Sequence, residues 1–182
     1  MRKTKGRKME FKLRKWELGD VESLTQHANN INIACCLRNI FPNPYTVVDA
    51  KEYIDYILEN GDNRQINYAI TVDNKAVGGI SISLGTDIYC KKGEVGYWLS
   101  ENYWGKGIIT KATRIICEEA FHKFDIVRIE SEVFSHNIGS RRVLEKNGFN
   151  LEGTMKNSVC KNGIIYDSCM YAILKNRFVS GK

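Results

Sequence analysis

The sequence predicts a single mixed α/β domain, and three observations lead to this prediction. Segments in which apolar residues recur every second position alternate with segments in which they recur every third or fourth position. The resulting order of elements is β-α-α-β-β-β-α-β-α-β-β. The 182 residues are enough for one domain with a substantial core, and no internal repeat or linker divides them.

The first strand and the first helix follow from a change in this period. EFKLRKW, residues 10–16, places Phe11 and Leu13 on one face of a strand. The next segment, residues 18–30, predicts a helix in which Asp20 is the N-cap. The chain therefore begins with a β-α pair.

An irregular segment and a second helix come next. The irregular segment ends in FPNPYT, whose two prolines are incompatible with regular structure. Thr46 and Asp49 have the spacing of a capping box with a shorter acid. This box predicts the start of a helix over residues 47–60, and Gly61 predicts its end.

The middle of the chain predicts a hairpin, a strand and a long helix. Alternation over residues 66–84, interrupted by turn residues at 73–75, is typical of a hairpin. GEVGYWLS, residues 93–100, predicts the next strand. Residues 108–122 predict a helix with one buried face, because small and apolar residues recur there every three or four positions.

The C-terminal part predicts a strand, a short helix and a second hairpin. Residues 126–134 alternate between apolar and polar, which predicts a strand with one solvated face. NIGSRRVLEKNGF predicts a helix with Asn137 as its N-cap and Gly148 at its end. The remaining residues predict a long hairpin that turns at Asn162–Gly163.

Charge and hydropathy exclude a membrane protein and disfavour a nucleic-acid-binding domain. No apolar run approaches the roughly 20 residues needed to cross a bilayer, and the basic N-terminus lacks the apolar stretch of a secretion signal. The net charge is +6, but five of the 27 basic residues lie within residues 1–8, and the other 22 nearly balance 21 acidic residues. We therefore predict a disordered basic tail over residues 1–9 and one domain over residues 10–182. Nucleic acid is not expected to bind except through this tail.

The six cysteines predict reduced thiols rather than disulfides or a metal site. No two of them have CxxC spacing, nothing indicates export, and the three histidines lie far from any cysteine pair. We therefore expect a cytoplasmic protein without a bound metal.

YWGKGIIT, residues 103–110, joins a predicted strand to a predicted helix through two glycines. This arrangement often binds phosphate, because the first N–H groups of a helix have no intrahelical partner and the helix dipole favours an anion. No Ser or Thr follows Lys106, as a Walker P-loop requires, and Thr110 occupies the position of the third glycine of a dinucleotide-binding loop. Both nucleotide interpretations are therefore disfavoured.

A third phosphate-binding pattern fits better. Residues 102–107, NYWGKG, match Q/R-x-x-G-x-G/A apart from Asn102. Together with EVGYWLSENYWGKGIITKA and the later NIGSRRVLEKNGFNLEG, they make the chain resemble GNAT acetyltransferases of the RimJ/RimL type, the ribosomal-protein alanine N-acetyltransferases. The resemblance extends over nearly the whole chain from Glu10. It implies a central, mostly antiparallel sheet of about seven strands with splayed middle strands, and about four helices.

The resemblance implies that acetyl-CoA binds between the strand at 93–100 and the strand at 126–133. The backbone of Trp98 and Leu99 would pair with the pantetheine arm, as an added strand would. Asn137 matches an asparagine that hydrogen-bonds pantetheine, and a plain N-cap is its alternative role. The pyrophosphate would face the backbone amides of Gly105, Lys106, Gly107, Ile108 and Ile109.

The resemblance also implies two catalytic candidates. Ser140 matches the family's serine that assists the departing thiolate, and filling the first turn of a helix is its alternative role. Glu94 could accept the amine proton through a water, or could be an ordinary surface carboxylate. Val159 replaces the glutamate that has this role in the closest relatives, so the ribosomal acceptor is left open. Tyr166 and Asp167 on the last strand are further candidates.

The acceptor side and the activity are implied in the same way. The loop that contains Phe41 and Tyr45 covers the amine site in family members, so these two rings would contact the acceptor. The same rings could equally close the hydrophobic core. Tyr166 would also contact the acceptor. The implied activity is acetyl transfer to a primary amine, preferably a protein N-terminal amine, by direct attack in a ternary complex. A small-molecule acceptor such as an aminoglycoside and a non-catalytic acyl-CoA-binding module are the alternatives. We also expect that the chain can form a homodimer.

Overall fold

A computed structural model describes residues 10–60 and 63–180. The strands are β1 (Lys12–Arg14), β2 (Gln65–Val72), β3 (Lys75–Leu84), β4 (Lys92–Leu99), β5 (Arg128–Phe134), β6 (Asn150–Lys161) and β7 (Ile164–Leu174). The α-helices are α1 (Val21–Ala28), α2 (Ile31–Ala34), α3 (Val47–Asn60), α4 (Ile108–Lys123), α5 (Ile138–Lys146) and α6 (Lys175–Ser180). The predicted tail over residues 1–9 and the predicted helix end at Gly61 lie outside the described residues.

The seven strands form one sheet in the order β1-β2-β3-β4-β5-β7-β6. Every neighbouring pair is antiparallel except β4 and β5, which run parallel. The predicted mixed α/β fold, with a mostly antiparallel sheet of seven strands, is therefore confirmed. Both hairpins turn where the sequence predicts, between β2 and β3 and at Asn162–Gly163 between β6 and β7.

The described residues form six α-helices rather than the predicted four or so. The additional helices are α2, with four residues, and α6, with six. Neither is long enough to show the repeating apolar spacing of a helix, which is why the sequence pattern does not predict them.

Three helix starts were predicted from capping residues, and the structure gives different outcomes for the first two. Thr46 and Asp49 form the predicted capping box, since the Thr46 N–H donates to Asp49 Oδ2 at 2.7 Å and the Asp49 N–H donates to Thr46 Oγ1 at 3.3 Å. Asp20 precedes α1 but makes no side-chain capping bond. Its carboxylate instead accepts two bonds from the Arg14 guanidinium, at 2.6 and 2.7 Å, because β1 brings that charge beside it.

The sheet separates two hydrophobic clusters. The first packs α4 and α5 against strands on both sides of the β4–β5 pair. The second packs α1 and α3 against β2 and β3. Ala69 and Ile70 are consecutive residues of β2 and belong to different clusters, so the clusters lie on opposite faces of the sheet. We call the face covered by α1 and α3 the α1–α3 face.

None of the helices within residues 10–60 and 63–180 combines the length and the apolar character required to cross a membrane.

Candidate active site

The middle of the sheet opens where β4 and β5 separate. The two strands pair over three residue positions, the last of which joins Glu94 to Glu130. Beyond this point β4 continues to Leu99 beside β3, and β5 continues to Phe134 beside β7. The splayed middle strands that the sequence predicts are therefore present, and the gap between them is open towards the C-terminal ends of both strands.

The register of β4 determines which backbone groups face this gap. The Ser100 N–H donates to Val77 O at 2.8 Å, and because antiparallel pairing alternates, the N–H and C=O of Trp98 also face β3. The Lys91 carbonyl accepts from Val127 N–H at 2.9 Å. The backbone N–H and C=O groups of the odd-numbered residues of β4 therefore point away from β3, towards β5 and the gap. The backbone of Leu99 is thus directed into the gap. That of Trp98, expected to pair with pantetheine, is directed to β3.

The two glycines after β4 adopt left-handed backbone conformations. Gly105 has φ +72° and Gly107 has φ +73°, and a Cβ added at either position would meet no atom within 4 Å. Conformation, rather than space, is therefore what requires glycine here. Gly107 is the N-cap residue of α4, and no side chain forms a capping bond at this helix end.

The start of α4 offers backbone N–H groups to a ligand. The first bond of the helix runs from Lys111 N–H to Gly107 O at 3.2 Å, which leaves the preceding N–H groups without an intrahelical partner. The side chain of Ile108 is buried and that of Ile109 packs against the first cluster. The Lys106 ammonium turns back to Asn102 O at 2.7 Å. The amides of these residues are therefore available to an anion, while their side chains make other contacts.

Trp104 connects this loop to β4, a role that the sequence analysis did not predict. Its indole N–H donates to the Leu99 carbonyl at 2.7 Å, which occupies the acceptor group at the end of the strand. The glycine loop is thereby held at a fixed position relative to the gap. A tryptophan next to a glycine motif was the available signal, but nothing local indicates its partner.

Asn137 and Ser140 lie together at the start of α5. Asn137 is the N-cap, and its side-chain oxygen accepts from Ser140 N–H at 3.1 Å. The Tyr97 hydroxyl donates to Ser140 O at 3.2 Å, which links α5 to β4 next to the gap. Burial raises the pKa of Tyr97 well above its ordinary value, so the phenol is a neutral donor at physiological pH. The N-cap prediction is confirmed, and Tyr97 is a positioning residue that the sequence analysis missed.

Glu94 lies at the vertex of the gap, on the α1–α3 face. Its carboxylate forms an ion pair with the Arg38 guanidinium, a partner 56 residues away that no local pattern predicts. Across the pair of strands, Glu130 is held by Lys92 and Arg128. Burial opposes ionisation of Glu130, but the bonds from these two cations outweigh it and lower the pKa. The Glu94 side chain is 45% exposed and that of Glu130 only 12%, so Glu94 is the more accessible carboxylate.

The loop before α3 places Phe41 and Tyr45 differently. The Phe41 ring lies 5.8 Å from the Trp98 ring and 4.9 Å from the Tyr45 ring, between centroids. Tyr45 is 5% exposed and belongs to the second core cluster, so it supports Phe41 from behind rather than contacting an acceptor. This differs from the predicted acceptor contact, because the ring fills the space beneath the loop. Phe41 is half-buried and keeps an accessible surface.

The last strand places Tyr166 next to the open end of β5. Its ring lies 4.5 Å from His136 and 6.2 Å from Phe134, between centroids, and it is half-buried. The neighbouring candidate Asp167 is bonded to Lys156 Nζ at 2.8 Å and to Asn157 N–H at 2.9 Å. These bonds lower the pKa of Asp167, which makes it a poor proton acceptor. Tyr166 therefore remains a candidate acceptor contact.

Nothing within residues 10–60 and 63–180 groups three or more His, Cys, Asp or Glu side chains as a metal site would require. The six cysteines are free thiols. The described residues offer anion binding by backbone amides, strand pairing in the gap, and proton transfer by carboxylate or hydroxyl groups.

Sequence relatives of this chain are acetyltransferases. The acetyltransferase (GNAT) domain profile matches residues 10–150. Probable N-acetyltransferase YjcK from Bacillus subtilis (strain 168) is 35% identical over 117 residues, which span 64% of this chain and 65% of YjcK. The putative ribosomal N-acetyltransferase YdaF from the same organism is 31% identical over 142 residues, which span 77% of each protein.

A solved structure has the same fold. The ribosomal L7/L12 α-N-protein acetyltransferase RimL, determined in complex with coenzyme A, matches with a TM-score of 0.80 and 26% identity. The match covers 90% of this chain and 93% of the RimL chain. Because the domain profile also covers most of the sequence, the chain belongs to the GNAT family of acetyltransferases.

Proposed function

We propose that this acetyltransferase transfers the acetyl group of acetyl-CoA to the N-terminal amine of a protein. The observation that carries the proposal is the gap between β4 and β5, which lies beside the uncapped N-terminus of α4. The coenzyme A complex of RimL supports the choice of cofactor. The ribosomal acceptors for which RimL and YdaF are named support the choice of a protein amine.

The residues around the gap fit the parts of acetyl-CoA. The backbone groups of Tyr97 and Leu99 that face the gap, apart from the Leu99 carbonyl bonded to Trp104, can pair with the amides of the pantetheine arm, as an added strand would. The N–H groups of Gly107, Ile108 and Ile109 can bind the pyrophosphate, where the helix dipole favours negative charge. The open space around Gly105 lets the phosphates approach the backbone. Asn137 can donate its side-chain N–H to pantetheine while its oxygen caps α5.

Acetyl transfer requires a neutral amine. An α-amine has a pKa of about 7.7–8.0, so only a small free-energy change is needed to remove its proton near neutral pH. We assign this step to Glu94, acting through a water molecule from the vertex of the gap. Arg38 holds the carboxylate in position.

The thioester carbonyl and the departing sulfur require two further groups. A backbone N–H at or near Leu99 can stabilise the oxyanion, because the β4 backbone there faces the gap. The Ser140 hydroxyl can donate a hydrogen bond to the departing thiolate and relay to it the proton of a water molecule, from which the hydroxyl is restored. The bonds from Ser140 N–H to Asn137 and from Tyr97 to Ser140 O fix the position of this residue.

The proposal is tested by following thiol release from acetyl-CoA with three groups of acceptors: peptides with free N-termini, polyamines and aminoglycosides. We expect turnover with peptides. Ser140→Ala should lower kcat roughly a hundredfold while leaving the Kd of coenzyme A unchanged. Thr86→Ala removes an exposed hydroxyl that forms no side-chain capping bond; it is the control and should keep full activity.

Each other outcome contradicts a specific part of the proposal. Faster turnover of an aminoglycoside or polyamine would reject the protein acceptor and assign a small-molecule amine. Coenzyme A binding without thiol release from any acceptor would favour the non-catalytic alternative. Unchanged kcat in Ser140→Ala would remove the serine from the mechanism.

A further inference from the structure

A cavity of about 340 Å³ lies on the acceptor side of the molecule, between α2, the loop that follows it and the tip of the β6–β7 hairpin. Its walls contain apolar side chains, three asparagines and a single charged residue, Lys161. The lining residues are Ile31, Ala34, Asn39, Phe41, Pro42, Asn43, Lys161 and Asn162. The cavity can therefore hold a small polar group next to one positive charge.

Lys161 is largely buried as a residue, and its ammonium has no protein partner among the described residues. Its residue surface is 7% exposed, although lysines this deeply buried are normally paired with a carboxylate. Among residues 10–60 and 63–180, Lys161 takes part in neither an ion pair nor a side-chain hydrogen bond. Thr113 Oγ1 is the one side-chain polar atom in that range that is both fully buried and without a hydrogen-bond partner, so the Lys161 nitrogen reaches the space of the cavity. There it can receive an anionic group from outside the chain.

The register of the hairpin places Lys161 on the α1–α3 face. Glu94 pairs with Glu130, and Glu130 in turn pairs with Ala172 of β7, so their side chains share this face. Ile164 lies eight residues before Ala172 on the same strand and faces the same way. Lys161 pairs with Ile164 and therefore projects on the face that carries Glu94.

The cavity adjoins the proposed transfer site. Phe41 lines the cavity, and its ring lies 5.8 Å from that of Trp98 on β4. Arg38, three residues before Phe41, is paired with Glu94 at the vertex of the gap. An acceptor can thus place its amine near Glu94 while another part of it extends into the cavity.

The positive charge of Lys161 also acts on Cys36, two residues after the end of α2. Burial raises the pKa of Cys36 to about 11, with a further contribution from Cys35, and the positive charge of Lys161 opposes the shift. Arg38, the other cation of this region, is paired with Glu94. Lys161 is therefore the charge that the cavity leaves available to a ligand.

We propose that Lys161 determines acceptor specificity by binding a carboxylate that the acceptor carries close to its amine. The proposal rests on the function proposed above and refines it. The carboxylate can come from an acidic side chain near a protein N-terminus or from a small amino acid. Polycationic amines are disfavoured by the same charge, because nothing in the cavity wall neutralises it.

The test uses acceptors in matched acid and amide forms. One arm compares C-terminally amidated peptides with Asp or Asn at the second, third or fourth position, and the other compares alanine with alaninamide. Thiol release from acetyl-CoA gives kcat and KM for each acceptor. We expect KM to be about tenfold to a hundredfold lower for the acid form in one arm, as charged hydrogen bonds typically give. The arm that shows the preference identifies the source of the carboxylate.

Variants then assign the preference to Lys161. Lys161→Met keeps an apolar stem but removes the charge, and should raise KM for the acid form to that of the amide form. KM for acetyl-CoA and kcat should not change, and Lys161→Arg should retain the preference. Lys51→Met, at an exposed position of α3, is the control and should behave as the unmodified chain does. Thermal melting checks that each variant folds.

A binding measurement separates this inference from the proposed function. Calorimetry with an acetylated acid peptide, in the presence of coenzyme A, measures product binding without turnover. If no acceptor releases thiol but the acid product binds in a Lys161-dependent manner, the proposed function fails and the carboxylate site stands. Equal KM values for acid and amide forms in the unmodified chain, or a preference that survives in Lys161→Met, would overturn the inference.

Discussion

Gly107 combines a positive φ of +73° with the N-cap position of α4. An alanine at this position meets no neighbouring atom, so its cost is confined to the backbone, where a left-handed L-residue loses about 1–2 kcal/mol. We expect Gly107→Ala to lower the free energy of unfolding by this amount. It should also weaken coenzyme A binding, because relieving the strain tilts the N–H groups of the loop. Urea denaturation and a coenzyme A titration measure the two effects.

Gly153 provides a matched control for this substitution. It also has no atom within 4 Å of an added Cβ, but it lies in β6 and its φ is not positive. Gly153→Ala should leave coenzyme A binding unchanged and should not destabilise the chain. If Gly107→Ala and Gly153→Ala behaved alike, the left-handed conformation would not be what the loop requires.

At the level of the element, α5 begins at a residue with two roles. Asn137 caps the helix through its side-chain oxygen, and we propose that its side-chain N–H binds pantetheine. Asn137→Asp keeps the oxygen and removes the N–H, whereas Asn137→Ala removes both. We expect only Asn137→Ala to destabilise the chain, by about 0.5–2 kcal/mol, and both variants to raise the Kd of coenzyme A. Chemical denaturation and coenzyme A titration of the two variants give these values. Unchanged coenzyme A binding in Asn137→Asp would show that Asn137 acts only as a helix cap.

Elements with a regular period were predictable from sequence, and short or isolated ones were not. α3, α4 and both hairpins begin or turn at residues whose local chemistry determines the structure, such as Thr46 and the Asn162–Gly163 turn. α2 has four residues and shows no period, so the irregular segment predicted there is in part helical.

The parts of the candidate site that are formed by local backbone structure were predictable from sequence. The glycine loop and the N-cap of α5 follow from residues adjacent in sequence. The pairing of Arg38 with Glu94 and the burial of Lys161 depend on contacts between distant segments. Lys161 precedes a tight turn, where a lysine is usually exposed, so the sequence gives no indication that this residue is largely buried.

Across the whole molecule, the separation of β4 and β5 divides the sheet into two parts joined by three residue pairs. The first core cluster compensates for this weak connection, because it contains residues from both parts, including Ile66 of β2 and Tyr171 of β7. The second cluster draws on one part alone, with Trp16, Leu24 and Ile54 among its members. Cohesion between the two parts therefore depends mainly on the first cluster, packed around α4.

This dependence makes the predicted single domain testable. We expect the chain to unfold in one transition, with tryptophan fluorescence, which includes Trp16 in the second cluster, coinciding with far-UV circular dichroism. Ile116 of α4 and Ile54 of α3 are both fully buried, one in each cluster. Replacing either by alanine should cost about 2–5 kcal/mol and shift both signals together. If Ile116→Ala separated the two signals, the parts of the sheet would unfold independently and residues 10–182 would not form one cooperative domain.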